Sequence, residues 1–267
     1  MNYIVRFACV SHVGKVRKIN QDNAVCAGAY FDTNSKNKTM TIADLAFTKE
    51  APLFGVFDGL GGEEQGEVAA LIAAKYASKF KGANNFNLNL ANMCHQINME
   101  ICDYASKNGV SSMGTTAAIL QFKRSKAFLC NIGDSKIFRI AHGRIEQLSK
   151  DHIDFSVQGV KPPLLQNLGI PPVEFDIDPY LAYGQCSIGD VYLICTDGLT
   201  DMVSVDEIAH IIESKTAMEA CNDLINAALL NGGRDNVTAI LCAIERKPAI
   251  ALKRKSAQHK ESGKYGK

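Results

Sequence analysis

The apolar positions of this 267-residue chain follow two periodicities. Short runs rich in Val, Ile, Phe and Thr recur along it: YIVRFACV, LFGVF, TTAAILQF, KAFLCNI, KIFRI, DVYLICT and NVTAILCAI, most of them bounded by Gly, Asp or Asn. β-branched and aromatic residues suit a pleated, half-buried surface, and the bounding residues turn the chain, so these runs predict strands. Tight links such as the GDS of residues 133–135 join neighbouring runs directly, which antiparallel pairing allows and parallel pairing does not. Four other stretches space apolar residues at three and four: 63–80 and 88–107, then a second pair over roughly 205–213 and 217–230. That spacing gives a helix one apolar stripe.

Strands, two helices, strands again and two more helices do not make a regular βαβ alternation. The segregated order predicts an α+β fold in which antiparallel sheets are flanked by helix pairs. No Pro/Ser-rich linker, repeat or low-complexity block interrupts residues 1–245, which read as one domain with enough apolar content, 46%, for a sizeable core.

Charge divides the chain unevenly. Residues 246–267 hold eight Lys or Arg against one Glu, which leaves 21 against 27, a net of −6, in residues 1–245. The basic end, RKPAIALKRKSAQHKESGKYGK, has little to bury and lacks the interleaved aromatics of a single-strand binder. It reads as a solvated, disordered tail, and no nucleic-acid partner is expected. No apolar run approaches the roughly 18 residues that span a bilayer, and MNYIVRFACVSHVGK lacks the pattern of a secretory signal. A cytoplasmic monomer without membrane contact is expected. The nine cysteines are odd in number and include no CxxC pair. Several sit inside strand-like runs, as reduced, buried thiols do.

The candidate chemistry lies in where aspartates punctuate strands. Asp58 ends LFGVF, Asp134 sits in the turn between KAFLCNI and KIFRI, Asp197 follows DVYLICT, and Asp235 precedes NVTAILCAI. Each alone is ordinary turn chemistry. Together they are placed so that four carboxylates could converge at one rim of a sheet core. No cysteine has arginine six positions later, and no GxxxxGK[ST] loop is present, which argues against a cysteine-nucleophile phosphatase and a P-loop NTPase. The six histidines form no HExxH or other close pair, and His12, His95 and His210 read as structural or solvent-facing.

The ordered blocks GKVRKINQD, FGVFDGLGG, SMGTT, NIGDSK, LSKDH, ICTDGLTD and GGRDN carry more than turns require. In them the chain resembles the PP2C (PPM) family of metal-dependent serine/threonine protein phosphatases, of bacterial type, from about residue 5 to 245. The resemblance implies a sandwich of two antiparallel sheets flanked by helices (αββα), with a two-metal centre at one end. Matched position by position, it implies metal binding by Asp22, Asp58 with the carbonyl of Gly59, Asp197 and Asp235, with Asp58 bridging the ions. Asp134 and Asp201 match positions that hold a third, weaker ion in some relatives. Arg17 matches the arginine that grips the substrate phosphate, for which a planar, permanently charged guanidinium is suited. Without the resemblance, Arg17 reads equally well as a surface arginine at a strand end.

The implied activity is hydrolysis of phosphoserine and phosphothreonine by water activated between two Mn²⁺ or Mg²⁺ ions. The implied partners are phosphorylated proteins, a Ser/Thr kinase or its targets. Two rivals use the same blocks: a weakly active or inactive module that binds a phosphorylated or regulatory partner, and a hydrolase of small phosphate metabolites. The chain also departs from the family. Leu60 stands where many eukaryotic members have a histidine proposed as general acid, Lys136 replaces the usual arginine after GDS, and the flap over 152–168 is short. The stretch 23–53 is longer than the usual hairpin and reads as a loop insertion, with a docking surface as the alternative. His152 has no role readable from sequence.

Overall fold

The computed structural model describes residues 3–32, 39–60, 65–80, 86–157 and 162–246. With strands and helices numbered along the chain, one six-stranded antiparallel sheet runs β4 (Thr39–Phe47), β1 (Tyr3–His12), β12 (Val237–Arg246), β11 (Val191–Cys195), β8 (Lys136–Ala141), β9 (Arg144–Gln147). The other runs β10 (Tyr180–Gln185), β7 (Lys126–Ile132), β6 (Ala117–Lys123), β5 (Leu53–Asp58), β2 (Asp22–Cys26), β3 (Ala29–Tyr30). All seven runs expected as strands lie in antiparallel sheets, but the GDS link at 133–135 is corrected: it carries the chain from β7 in one sheet to β8 in the other, and those two strands do not pair.

Period-two alternation places one set of side chains from each sheet in a shared core: Val5, Phe7 and Cys9 of β1 meet Phe54 and Val56 of β5 and Leu120 and Phe122 of β6. An edge-to-face aromatic chain crosses that layer. Phe7 to Phe54 is 5.0 Å between ring centres, Phe54 to Phe122 5.9 Å, and Phe122 to Tyr192 5.2 Å. Each such pair adds about 0.5–1.5 kcal/mol beyond its buried area.

The helices cover the outer faces. α1 (Gly66–Ser78) and α2 (Phe86–Asn108) pack on the β5–β6–β7 side, and α4 (Val205–Ile212) and α5 (Ala217–Leu230) on the β1–β12–β11 side. The buried face of α1 is almost entirely alanine (Ala69, Ala70, Ala73, Ala74, Ala77), which brings its backbone close to the sheet. Ser204 caps α4, and Thr216 with Glu219 forms a capping box on α5. The result is the expected αββα order of layers.

The stretch 23–53 is corrected by the structure. It holds most of β2, all of β3 and β4, and a 3-10 turn over Thr48–Glu50, and β4 pairs along the whole of β1 from Ile4–Phe47 to His12–Thr39. It is a sheet edge rather than a loop. The polar segment 33–38 and the glycines at 61 and 62 lie outside the described residues, as does 247–267, expected as a tail; Arg246 itself closes β12 opposite Tyr3. All nine cysteines are free, eight of them buried. Among the described residues no helix is long and apolar enough to cross a membrane.

Candidate metal centre

The site forms where strand ends from both sheets meet. β2 begins with Asp22 and β5 ends with Asp58, and antiparallel register sets these two residues directly opposite each other. The β7–β8 turn delivers Asp134, the end of β11 delivers Asp197 as the first residue of the short helix α3 (Asp197–Thr200), and Asp235 stands just before β12. A cleft of about 200 Å³ opens there, lined by Arg17, Gln21, Asp58, Gly59, Leu60, Thr116, Asp134, Pro162, Leu164, Asp197 and Asp235. Six of the eight residues singled out from sequence therefore line one cleft. Asp22 lies beneath it, 3% exposed. Asp201, one turn beyond Asp197 and exposed, is not among the lining residues.

The Asp22 carboxylate is held inside the sandwich. Its Oδ2 accepts hydrogen bonds from Thr196 Oγ1 at 2.9 Å and Thr238 Oγ1 at 2.6 Å, whereas its buried Oδ1 has no hydrogen-bond partner among the described residues. Burial pushes its pKa up from 3.8 to about 7; the two threonines oppose the shift, and the nearby Asp235 charge adds to it. An orphaned carboxylate oxygen beside Asp58 is a group that a cation would satisfy, and the surrounding donors are all oxygens, as Mg²⁺ or Mn²⁺ requires. The carboxylates share the cleft without closing on one point: among the described residues no three acidic, histidine or cysteine side chains form a ready cation cage. Asp235 is turned to Arg17 instead, Nη2 to Oδ2 at 2.8 Å. The residues fit the ions in kind, and Asp235 would have to release the arginine to hold one.

A supporting layer fixes these groups. Thr115 Oγ1 donates to the Asp58 carbonyl and the Asp58 N–H donates to Thr116 Oγ1, which is in turn 2.7 Å from Ser135 Oγ in the β7–β8 turn. Asn236 is a clamp between two loops: its Oδ1 accepts from Gln21 N–H at 2.8 Å, and its Nδ2 donates to the carbonyls of Val13 and Ile19. Asn20 ties the same loop to Ser11 Oγ and receives the N–H of Asp22. At Gly59 a Cβ would run into the Gly66 carbonyl, and at Gly198 into the Asn236 carbonyl, so both aspartate-glycine pairs need glycine for close backbone approach. None of the Thr115, Thr116, Asn236 or Asn20 roles was read from sequence. The signal available was hydroxyl and amide side chains adjoining motif aspartates.

His152 acquires a role. Its Nδ1 accepts the N–H of Gly133 and its own N–H donates to the Gly133 carbonyl, so it holds the turn that carries Asp134. Burial pushes its pKa down, which keeps the imidazole neutral as that acceptor requires. Lys136 bonds the Asp134 carbonyl and Asp151, and so serves the same turn without facing the cleft. Leu60 does line the cleft, and no histidine is among the described lining residues.

A model of the protein phosphatase 2C family matches residues 42–160. The serine/threonine phosphatase stp of Listeria innocua is 29% identical over an alignment covering 85% of this chain and 91% of that protein. The serine/threonine protein phosphatase PstP of Mycobacterium tuberculosis is 27% identical over 90% of this chain and 45% of its own longer chain. The crystal structure of the catalytic domain of PstP in complex with two manganese ions superposes with a TM-score of 0.73, at 24% identity, over 92% of this chain and all of that domain. In strand order, carboxylate cleft and sequence blocks alike, this chain is similar to the protein phosphatase 2C family.

Proposed function

We propose that the chain hydrolyses phosphoserine and phosphothreonine on proteins, using two divalent cations held by Asp58, the Gly59 carbonyl, Asp197, Asp235 and the more deeply set Asp22. The observation that carries the reading is the buried, unpartnered Oδ1 of Asp22 next to Asp58, beneath a cleft lined by four carboxylates and one arginine. When bound, such ions lower the pKa of a shared water and neutralise charge on the transferring phosphoryl group. Manganese is the ion in the PstP structure, and Mn²⁺ or Mg²⁺ suits this donor set.

The chain's own residues do the rest. Arg17 offers paired N–H donors to a phosphate dianion, and its bond to Asp235 would open as phosphate took the guanidinium, which would leave the Asp235 carboxylate to hold a cation. Thr115 and Thr116 hold the Asp58 backbone so that its carboxylate keeps one orientation. Asp134, held by His152, and the exposed Asp201 are the residues placed to hold a weaker third ion. Leu60, Pro162 and Leu164 form an apolar wall that limits water around the phosphoryl group. With Leu60 in place of an acid, the leaving alkoxide takes its proton from solvent.

Phosphorylated proteins, a Ser/Thr kinase or its targets, are the partners, and the same proposal includes a monomer acting in the cytoplasm. One domain over 1–245 suffices for it. The partner-binding reading is not favoured, because every carboxylate the chemistry needs is present. Release of phosphate from a phosphothreonine peptide, measured with Mn²⁺, with Mg²⁺ and with excess chelator, tests the proposal. Metal-dependent release supports it, and cation binding without release would overturn it. A marked preference for free phosphoserine or nucleotides over peptides would replace the protein substrate by a metabolite.

A further inference from the structure

We infer that the cleft selects phosphoproteins carrying acidic residues beside the phosphorylated Ser or Thr, through a cationic rim of Lys15, Lys18 and Arg234; this rests on the phosphatase reading above. The rim is one unit made of two loops. Lys15 N–H donates to the Gly233 carbonyl at 2.7 Å, Arg17 pairs with Asp235, and Asn236 binds Val13, Ile19 and Gln21 together. Arg17, Gln21 and Asp235 of these loops line the cleft, and the exposed Lys15, Lys18 and Arg234 adjoin them in sequence.

Four cations, Lys15, Arg17, Lys18 and Arg234, are exposed on this unit. Arg17 has Asp235 as partner. Among the described residues the side chains of Lys15, Lys18 and Arg234 have no ion-pair partner, whereas Arg6, Lys136, Arg139 and Lys215 elsewhere each hold a carboxylate. A cluster of one sign is conspicuous in residues 1–245, whose net charge is −6. One arginine satisfies a phosphate dianion; three further cations on the same two loops suit additional negative charge on the segment that carries it. The apolar lining residues Leu60, Pro162 and Leu164 carry no charge that would oppose this attraction.

The test uses the full chain loaded with Mn²⁺ and three phosphothreonine peptides that differ only in flanking residues: two acidic, two neutral or two lysines. At low ionic strength kcat/KM is expected to be about tenfold higher for the acidic than for the neutral peptide, since an exposed ion pair contributes up to about fivefold. The lysine peptide should be slowest, and added salt should compress the series. Lys15→Glu combined with Arg234→Glu should level or invert the ranking; Lys18→Glu should do so in part. Lys79→Glu, at the far end of α1, should leave the ranking intact. p-Nitrophenyl phosphate, which has no flanks, reports folding and basal chemistry and should be hydrolysed equally by all. Equal rates on the three peptides, or a ranking that survives reversal, would overturn the rim. Loss of aryl phosphate turnover in the unmutated protein would instead overturn the phosphatase reading.

Discussion

Asn236→Ala removes the clamp that joins the loop carrying Arg17 and Asp22 to the loop carrying Asp235. The side chain is 4% exposed and makes three hydrogen bonds, one accepted and two donated, at 2.8 to 3.0 Å. At about 1 kcal/mol each, and with partners left buried, the loss should be roughly 3 kcal/mol of stability. Urea unfolding followed by far-UV circular dichroism reads it as a lower midpoint at unchanged slope. KM for p-nitrophenyl phosphate should rise as well, because Arg17 loses its fixed backbone. Asn236→Asp sharpens the test: it keeps an acceptor for Gln21 N–H but aims a second oxygen at two carbonyls. At neutral pH it should be at least as destabilised as the alanine variant. In the folded variant the protonated carboxyl is favoured, so its pKa lies above the unfolded value, and stability should return as pH falls and drop as pH rises. An alanine variant within about 0.5 kcal/mol of the unmutated protein, the usual range for surface changes, would refute the clamp.

Asp58→Asn and Asp197→Asn should each lower turnover by orders of magnitude while circular dichroism and unfolding stay near normal; near-normal rates in folded variants would remove these residues from the centre. Arg17→Ala should raise KM for a phosphopeptide more than it lowers kcat, and an unchanged KM would exclude Arg17 from phosphate binding. Without added metal, stability should fall as pH rises from about 4 through about 7, since the folded protein retains a proton on Asp22 that the unfolded chain gives up. The loss is a few kcal/mol, at about 1.4 kcal/mol per unit, and Asp22→Asn should abolish that slope in urea unfolding measured across pH.

Much of the fold is legible because the interior strands are rich in β-branched and aromatic residues, and because α4 and α5 begin with Ser204 and Thr216 caps. What escaped reading is the buried strand β2, five residues long, and the periphery. β4 (TMTIADLAF) carries Asp44 in the middle of three consecutive exposed positions, 43–45, at a sheet edge, and β10 (YLAYGQ) contains a glycine and ends in exposed residues. Such strands owe their pairing to β1 and β7 rather than to their own sequence, so context decides them. β3, with two residues, follows from the register of β2 alone.

The cleft shows the same division between groups that announce themselves and groups that do not. An aspartate at a strand end is conspicuous because it ends an apolar run. Its supporting threonine is not, because threonine is also an ordinary strand residue. Thr196 and Thr238 read as β-formers, yet their hydroxyls meet at Asp22 Oδ2, 174 and 216 residues away in sequence. That convergence explains why Asp22 differs from the lining carboxylates. Two donors satisfy one of its oxygens inside the sandwich, and β-register aims the other at Asp58. The threonines therefore set the direction of the free oxygen, and with it the place where a cation can be held. Removing either hydroxyl would leave a buried carboxylate with one donor, raise its proton affinity further, and so weaken cation binding before any lining residue had changed.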